Sequence, residues 1–265
     1  MLSADSCPNI ATLKRAARSL GVHSRLKSIY WGLSVPRVLH TLSRKRTVIH
    51  RISGVPVEFP VEEYWQYQRF RWMHPELQLF EELVESLEPG DVFYDVGAHL
   101  GWHSVVAASV DPGVEVVAFE PHPAVADRFE EVIQATGHEV ALHRTALFDT
   151  DGTAEFTGDP DPAAHVSGVY GGQSADTIQV STAAGDTLVA TGEIPPPDIL
   201  KIDAEGADAA VLRGLETTIR EHRPRVIYCE VHAEGGTIEE LLDEMGYTCE
   251  PVSSARPILR AVSTE

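Results

Sequence analysis

The sequence predicts an α/β fold, a mostly parallel, doubly wound sheet with helices on both faces. Three observations carry that expectation. Val92-Phe-Tyr-Asp-Val-Gly-Ala-His-Leu-Gly101 reads as a buried strand running into a glycine turn and a helix, because Val, Phe and Tyr favour strands and glycine admits turns closed to other residues. Val116-Val-Ala-Phe-Glu120 is a second buried strand with a carboxylate at its end. Asp198-Ile-Leu-Lys-Ile-Asp-Ala-Glu-Gly206 is a third, with charges at its carboxyl end, where open parallel sheets place their ligand crevices.

The other elements follow in chain order. Residues 10–46 read as a basic helical arm, with Ile10, Leu13, Ala17 and Leu20 at helical spacing and Lys14, Arg15 and Arg18 between them. The segments around Ser53-Gly54 alternate apolar and polar residues, as a hairpin does. Helices are expected at about 61–72 and 76–87, and Pro89-Gly90 then opens the larger domain. Strands at 91–96, 115–119, 138–143, 198–202 and 225–231 alternate with helices at 101–109, 123–134, from about 206, and at 236–244. That alternation implies a parallel sheet covered on both faces. Two late strands near 246–251 and 257–262 read as a closing antiparallel hairpin. Residues 152–156 and 177–181 read as short antiparallel strands, and the polar stretch 158–175 between them has the length of a lid. The expected division is an extension over 1–75 and a main domain over 76–265.

The first turn points to a cofactor. Glu120 lies 23 residues beyond Gly97, close to the spacing of about 20 at which a doubly wound fold sets a carboxylate on a ribose. Dinucleotide enzymes use Gly-x-Gly-x-x-Gly, so that backbone N–H groups meet a pyrophosphate. Here the spacing is Gly-x-x-x-Gly, and Asp95 precedes the first glycine. A carboxylate there would repel pyrophosphate, and it suits a cofactor with a cationic end such as S-adenosylmethionine.

Asp95-Val-Gly-Ala-His-Leu-Gly, Phe119-Glu-Pro, Leu200-Lys-Ile-Asp-Ala-Glu-Gly-Ala-Asp208, Val211-Leu-Arg-Gly214 and Glu230-Val-His232 resemble the FkbM family of S-adenosylmethionine-dependent methyltransferases over about residues 76–233. The resemblance implies a Rossmann-like class I methyltransferase fold with a seven-stranded sheet, and methyl transfer from S-adenosylmethionine to a hydroxyl. It implies that Asp95, Gly97, Ala98 and Gly101 line the methionine end, that Glu120 holds the ribose, and that His122, Ala146 and Leu147 border the adenosine. Two positions depart from the family pattern: His99 stands where Asn is usual, and Asp208 where Glu is usual. Imidazole cannot copy both amide roles of Asn.

For catalysis, a hydroxyl needs a proton acceptor. By strand alternation Lys201, Asp203 and Glu205 share a face, as do Glu230 and His232 on the next strand. His232 or Asp203 is expected to take the proton, with Lys201 or Glu205 orienting it and Glu230 completing the cluster. A divalent metal bound by the same oxygens is the alternative, and the metal-free reading is favoured. His74, His103, His122, His143 and His165 form no ligand pattern, and Trp102 and His103 read as packing residues at a helix start.

Composition narrows the function classes. The chain has 265 residues, 43% of them hydrophobic, and a net charge of −19. Residues 1–55 hold ten Lys/Arg and one acid, a net of +9, whereas residues 56–265 hold 11 Lys/Arg and 39 acids, a net of −28. The acidic body argues against a nucleic-acid groove. Only four residues are Lys, and acid excess with scarce Lys resembles proteins of salt-loaded cytoplasms. Three unpatterned cysteines, no secretory-type apolar stretch and no long apolar run suggest a cytoplasmic protein. The amphipathic basic stretch 10–34 suits an anionic membrane surface, or packing on its own domain or on a second copy. The function expected is an O-methyltransferase of a sugar or lipid-linked glycan intermediate. A soluble secondary metabolite is the alternative acceptor; a nucleotide-dependent oxidoreductase and an inactive cofactor scaffold are the more distant readings.

Overall fold

The computed structural model describes residues 47–61, 66, 76–157, 177–231, 235–253 and 257–264. The expected arm over 10–46, the helix at 61–72, the lid over 158–175 and His232 lie outside the described residues. A short hairpin, β1 (Thr47–Ile52) and β2 (Val55–Pro60), comes first. It turns through Ser53 and Gly54, both at positive φ (43° and 90°), the geometry that matches the twist of a two-residue hairpin.

Next come α1 (Leu77–Ser86), β3 (Val92–Val96), α2 (Trp102–Val110), β4 (Glu115–Phe119), α3 (Pro123–Thr136), β5 (Ala141–His143), β6 (Ala146–Phe148) and β7 (Gly152–Thr157). They are followed by β8 (Thr177–Ala184), α4 (Gly185–Ala190), β9 (Ile199–Ile202), α5 (Asp208–Gly214), α6 (Glu216–His222) and β10 (Val226–Glu230). The described part closes with α7 (Gly235–Glu244), β11 (Tyr247–Ser253) and β12 (Ile258–Ser263). Among the described residues no helix is long and apolar enough to cross a membrane.

Seven strands form one sheet in the order β11-β12-β10-β9-β3-β4-β5. β5, β4, β3, β9 and β10 run parallel, and β12 and β11 are antiparallel. The alternation of elements predicts the covered parallel sheet, and the arrangement is the Rossmann-like class I methyltransferase fold that the family resemblance implies. The central strands are apolar on both faces because helices cover both. Tyr94, Val96, Val117, Phe119, Leu200, Ile202, Ile227 and Cys229 share one core with Leu188, Val211, Leu212 and Leu242, residues of α4, α5 and α7. The alternating positions face the other way, where Tyr228 bonds to Ser86 of α1 at 2.8 Å. Asp95 and Lys201 belong to that second face by the same alternation.

Two differences from the sequence expectation have local causes. The helix expected from about 206 is two helices, with Leu215 between them. Residues 146–148 form a strand parallel to β8, which makes a small sheet of order β6-β8-β7; a three-residue strand is too short for periodicity to announce. The hairpin packs on α2 and α3, and Thr47–Pro60 forms one compact unit with Phe70–Glu265.

Candidate functional site

The turn between β3 and α2 is held by backbone approach. Gly97 and Ala98 both donate to the Phe119 carbonyl, at 3.1 and 3.0 Å. Gly97 has φ +70°, and a Cβ there would lie 1.9 Å from the Asp203 carbonyl oxygen. Only glycine lets the turn lie against the β9 end. Gly101, at φ +74°, has a different reason: a Cβ there would lie 1.7 Å from the Phe129 ring. Only glycine therefore lets the start of α2 come this close to α3. Between the glycines His99 also adopts a positive φ, +52°. Asn and His are among the residues that tolerate this region best, which gives the His-for-Asn departure a backbone rationale.

Glu120 ties this turn to α3. One carboxylate oxygen accepts the His99 N–H at 2.9 Å and the other the His122 N–H at 2.8 Å. Glu120 and His122 are buried. Burial pushes the Glu120 carboxyl up to about 7, against the two N–H bonds that pull it down. The His122 ring stands edge-on to Phe156, 6.3 Å between centroids. Leu147 belongs to the main core and Ala146 packs with Phe156 and Val180, so their side chains are committed to packing.

Asp95 is bound within the fold on both sides of its carboxylate. It is fully buried, and one oxygen accepts both the backbone N–H and the hydroxyl of Ser104, at 3.0 and 2.7 Å. Its other oxygen lies 3.1 Å from the Lys201 ammonium. It therefore anchors the start of α2 and neutralises Lys201. Burial raises its carboxyl, but Lys201, His103 and Ser104 outweigh burial and hold it below the ordinary range.

Lys201 pairs across strands with Asp95. Its ammonium donates to the Val96 and Gly97 carbonyls at 3.1 and 2.9 Å, and Asp95 is its ion-pair partner. Burial pulls its value down, yet Asp95 and Asp203 hold it above the ordinary lysine range. Asp203 lies further off, 3.9 Å from the ammonium. Strand alternation puts Asp203 beside Lys201 as expected, but it does not reach Glu205. β9 ends at Ile202, and Glu205 and Gly206 both have positive φ, 46° and 92°. Asp208 holds this turn by accepting the Ala204 and Gly206 N–H groups at 2.7 and 3.1 Å. A non-glycine residue in this conformation stores strain, which collects at functional sites.

Beside the turn is a cavity of about 10 Å³ bounded by Glu76, His103, Lys201, Asp203, Tyr228 and Glu230, among others. The structure thus brings together three expected residues, Lys201, Asp203 and Glu230, with Glu76, His103 and Tyr228, which are not among the residues expected to act. His103 reads as a packing residue because it follows Trp102 at a helix start, and no sequence spacing links it to β9. Among the described residues no three His, Cys, Asp or Glu side chains converge as a metal site.

The comparisons with known proteins follow this geometry. Residues 95–249 match the model of the methyltransferase FkbM domain. The hexuronic acid methyltransferase AglP of Haloferax volcanii is 29% identical over 195 residues, 74% of this chain and 78% of that protein. The 31-O-demethyl-FK506 methyltransferase FkbM of Streptomyces tacrolimicus is 30% identical, over 59% of this chain and 71% of that protein. A crystal structure of a methyltransferase FkbM from Methylobacillus flagellatus aligns with a TM-score of 0.47 at 12% identity, covering 76% of this chain and 61% of that one.

Proposed function

The chain belongs to the FkbM family of methyltransferases, and from that premise we propose that it methylates a hydroxyl of a sugar, in a free or lipid-linked glycan intermediate. The family's cofactor is S-adenosylmethionine, which supplies a methyl group on a sulfonium sulfur. The residues fit it. Each Glu120 oxygen accepts one N–H and keeps acceptor capacity for a ribose hydroxyl. The Gly97–Gly101 turn presents backbone to the methionine end, with Lys201 beneath it. His122 and Phe156 stand near Glu120, where the adenosine would lie.

The observation that carries the reading is the convergence of Asp203 and Glu230 on one cavity beside that turn. Carboxylates accept hydrogen bonds from hydroxyls and can orient or deprotonate one. A carbohydrate offers several hydroxyls, and the relative named for hexuronic acid supports a sugar acceptor. The Streptomyces relative supports a second reading, a hydroxylated secondary metabolite. Isotope-labelled S-adenosylmethionine with a panel of hexosides, hexuronides and macrolides tests both. Transfer to a hexoside or hexuronide supports the first, and transfer to macrolides alone replaces it with the second.

Three further parts of the proposal concern setting. Residues 1–75 serve as an extension of the domain over 76–265. The stretch 10–34 rests on the anionic inner membrane face or on a second copy of the chain. The protein works in a salt-loaded cytoplasm, an idea supported by its acid excess; melting should rise strongly from dilute buffer to molar KCl, and a melting temperature indifferent to KCl would remove it.

A further inference from the structure

We propose that His103 is the proton acceptor of methyl transfer, meeting the acceptor hydroxyl in the cavity it shares with Asp203 and Glu230. The inference rests on the hydroxyl reading above. His103 is the second residue of α2, directly after the turn's Trp102, and its ring packs on Phe80 with centroids 4.8 Å apart. Its Nε2 is shut off from solvent and has no hydrogen-bond partner among the described residues. Buried polar atoms are almost always bonded, so a lone imidazole nitrogen at a cavity points to a partner that comes and goes. A cavity of about 10 Å³ has the room of a single water-sized group, which is also the room of one hydroxyl.

The surrounding charges suit the task. Glu76 comes from the start of α1, Asp95 from β3, and Lys201 and Asp203 from β9 and its end; all four act on the ring electrostatically. Glu230 of β10 bounds the same cavity. Burial first, and the Lys201 ammonium second, hold His103 below its ordinary value, against the three carboxylates. The ring is therefore neutral near pH 7 and can accept. Lys201 cannot, because Asp95 and Asp203 hold it as the ammonium, which has no free electron pair. In the step, the acceptor O–H bond breaks and its proton goes to Nε2. The oxygen's electron pair forms the new bond to the methyl carbon, and the methyl–sulfur bonding pair stays on sulfur. Products are a methyl ether, a neutral thioether and an imidazolium, so the single positive charge moves from the sulfonium to His103. Asp95, Asp203 and Glu76 stabilise that charge.

The test begins with ring ¹⁵N NMR of the full-length, cofactor-free protein. His103 should titrate below the ordinary 6.5, and Asp203→Asn should lower it further by removing a carboxylate that raises it. An ordinary titration untouched by Asp203→Asn would put the ring outside this cavity and overturn the proposal. His103→Gln should leave S-adenosylhomocysteine affinity unchanged by calorimetry. Methyl transfer to p-nitrophenyl glucuronide should fall about 10²- to 10⁴-fold, with the residual rate climbing as pH rises. Equal rates in wild type and variant, or loss of S-adenosylhomocysteine affinity in the variant, overturn it. If the wild type leaves the glucuronide unmethylated, that result counts against the sugar reading, and the ring titration still decides for His103.

Discussion

Asp91 and Asp95 stand at opposite ends of β3, and each meets a cation from elsewhere in the sheet. Asp91 pairs with Arg225 through two bonds, at 3.0 and 2.6 Å. The Arg225 side chain is 41% exposed, and Asp198 lies 3.9 Å away on the other side. Asp95 pairs with Lys201 at 3.1 Å, with side chains 0% and 5% exposed. The first pair clasps the amino ends of the strands at the protein surface. The second is sealed under the glycine turn and carries that turn's carbonyls. The physics of the two differs accordingly. In the first pair Asp91 is buried and only Arg225 is open to water, so solvent screens part of the attraction, whereas in the second a buried charge stripped of its partner is left without water or counter-ion. The functional end of the sheet therefore depends on a pair that neither partner can leave, and the other end does not.

Lys201→Met is the severest way to break the comparison. It should destabilise the protein by about 3–5 kcal/mol, read from urea denaturation, and it should also weaken S-adenosylhomocysteine binding by loosening the turn. A double change, Asp95→Leu with Lys201→Met, should recover only part of the stability, because the Val96 and Gly97 carbonyls that Lys201 serves would still lack their donor. Full recovery would show that the pair serves only itself.

Glu120 sharpens the functional side. Glu120→Ala should weaken S-adenosylmethionine binding by roughly 1.5–3 kcal/mol, measured calorimetrically in a folded variant. Its pH dependence has a definite sign. The folded carboxyl sits at about 7, above the ordinary 4.5, so the fold favours the protonated form. The stability this gives the cofactor-free protein is complete below about pH 4.5 and is lost as pH rises through 7. Glu120→Gln should remove that slope from urea unfolding curves between pH 5 and pH 8. A wild-type slope that persists unchanged in the variant would assign it to other groups.

At the amino end the effects should be smallest. Arg225→Ala should cost about 1 kcal/mol, and a double-mutant cycle with Asp91→Ala should show a coupling that fades in molar KCl, where the screening length is about 3 Å. The same cycle on Asp95 and Lys201 should be indifferent to KCl. Equal salt sensitivity of the two pairs would erase the distinction drawn between them.

Much of this molecule is legible in its sequence. The order of strands and helices and the place of Glu120 come from local pattern: β-formers, glycines at a turn, and a carboxylate at a strand end; the seven-stranded sheet and the family come from the resemblance those motifs carry. Those signals are local because period and turn chemistry act over a few residues. The partners of the charged groups are not local. Asp95 stands 106 residues before Lys201, and only the parallel register of β3 with β9 sets them side by side. That register gives Asp95 its hold between the start of α2 and Lys201, and gives Lys201 its hold on the turn's carbonyls, and no sequence pattern announces either. Strand alternation likewise foretold Asp203 beside Lys201 but failed at Glu205, where the strand has ended and the backbone turns left-handed. His103 lay beyond reach altogether, since its place beside Asp203 depends on α2 packing between α1 and the sheet. Sequence determined which chemistry was available, and tertiary packing decided which side chains would meet, because burial and register act across distances that no sequence pattern spans.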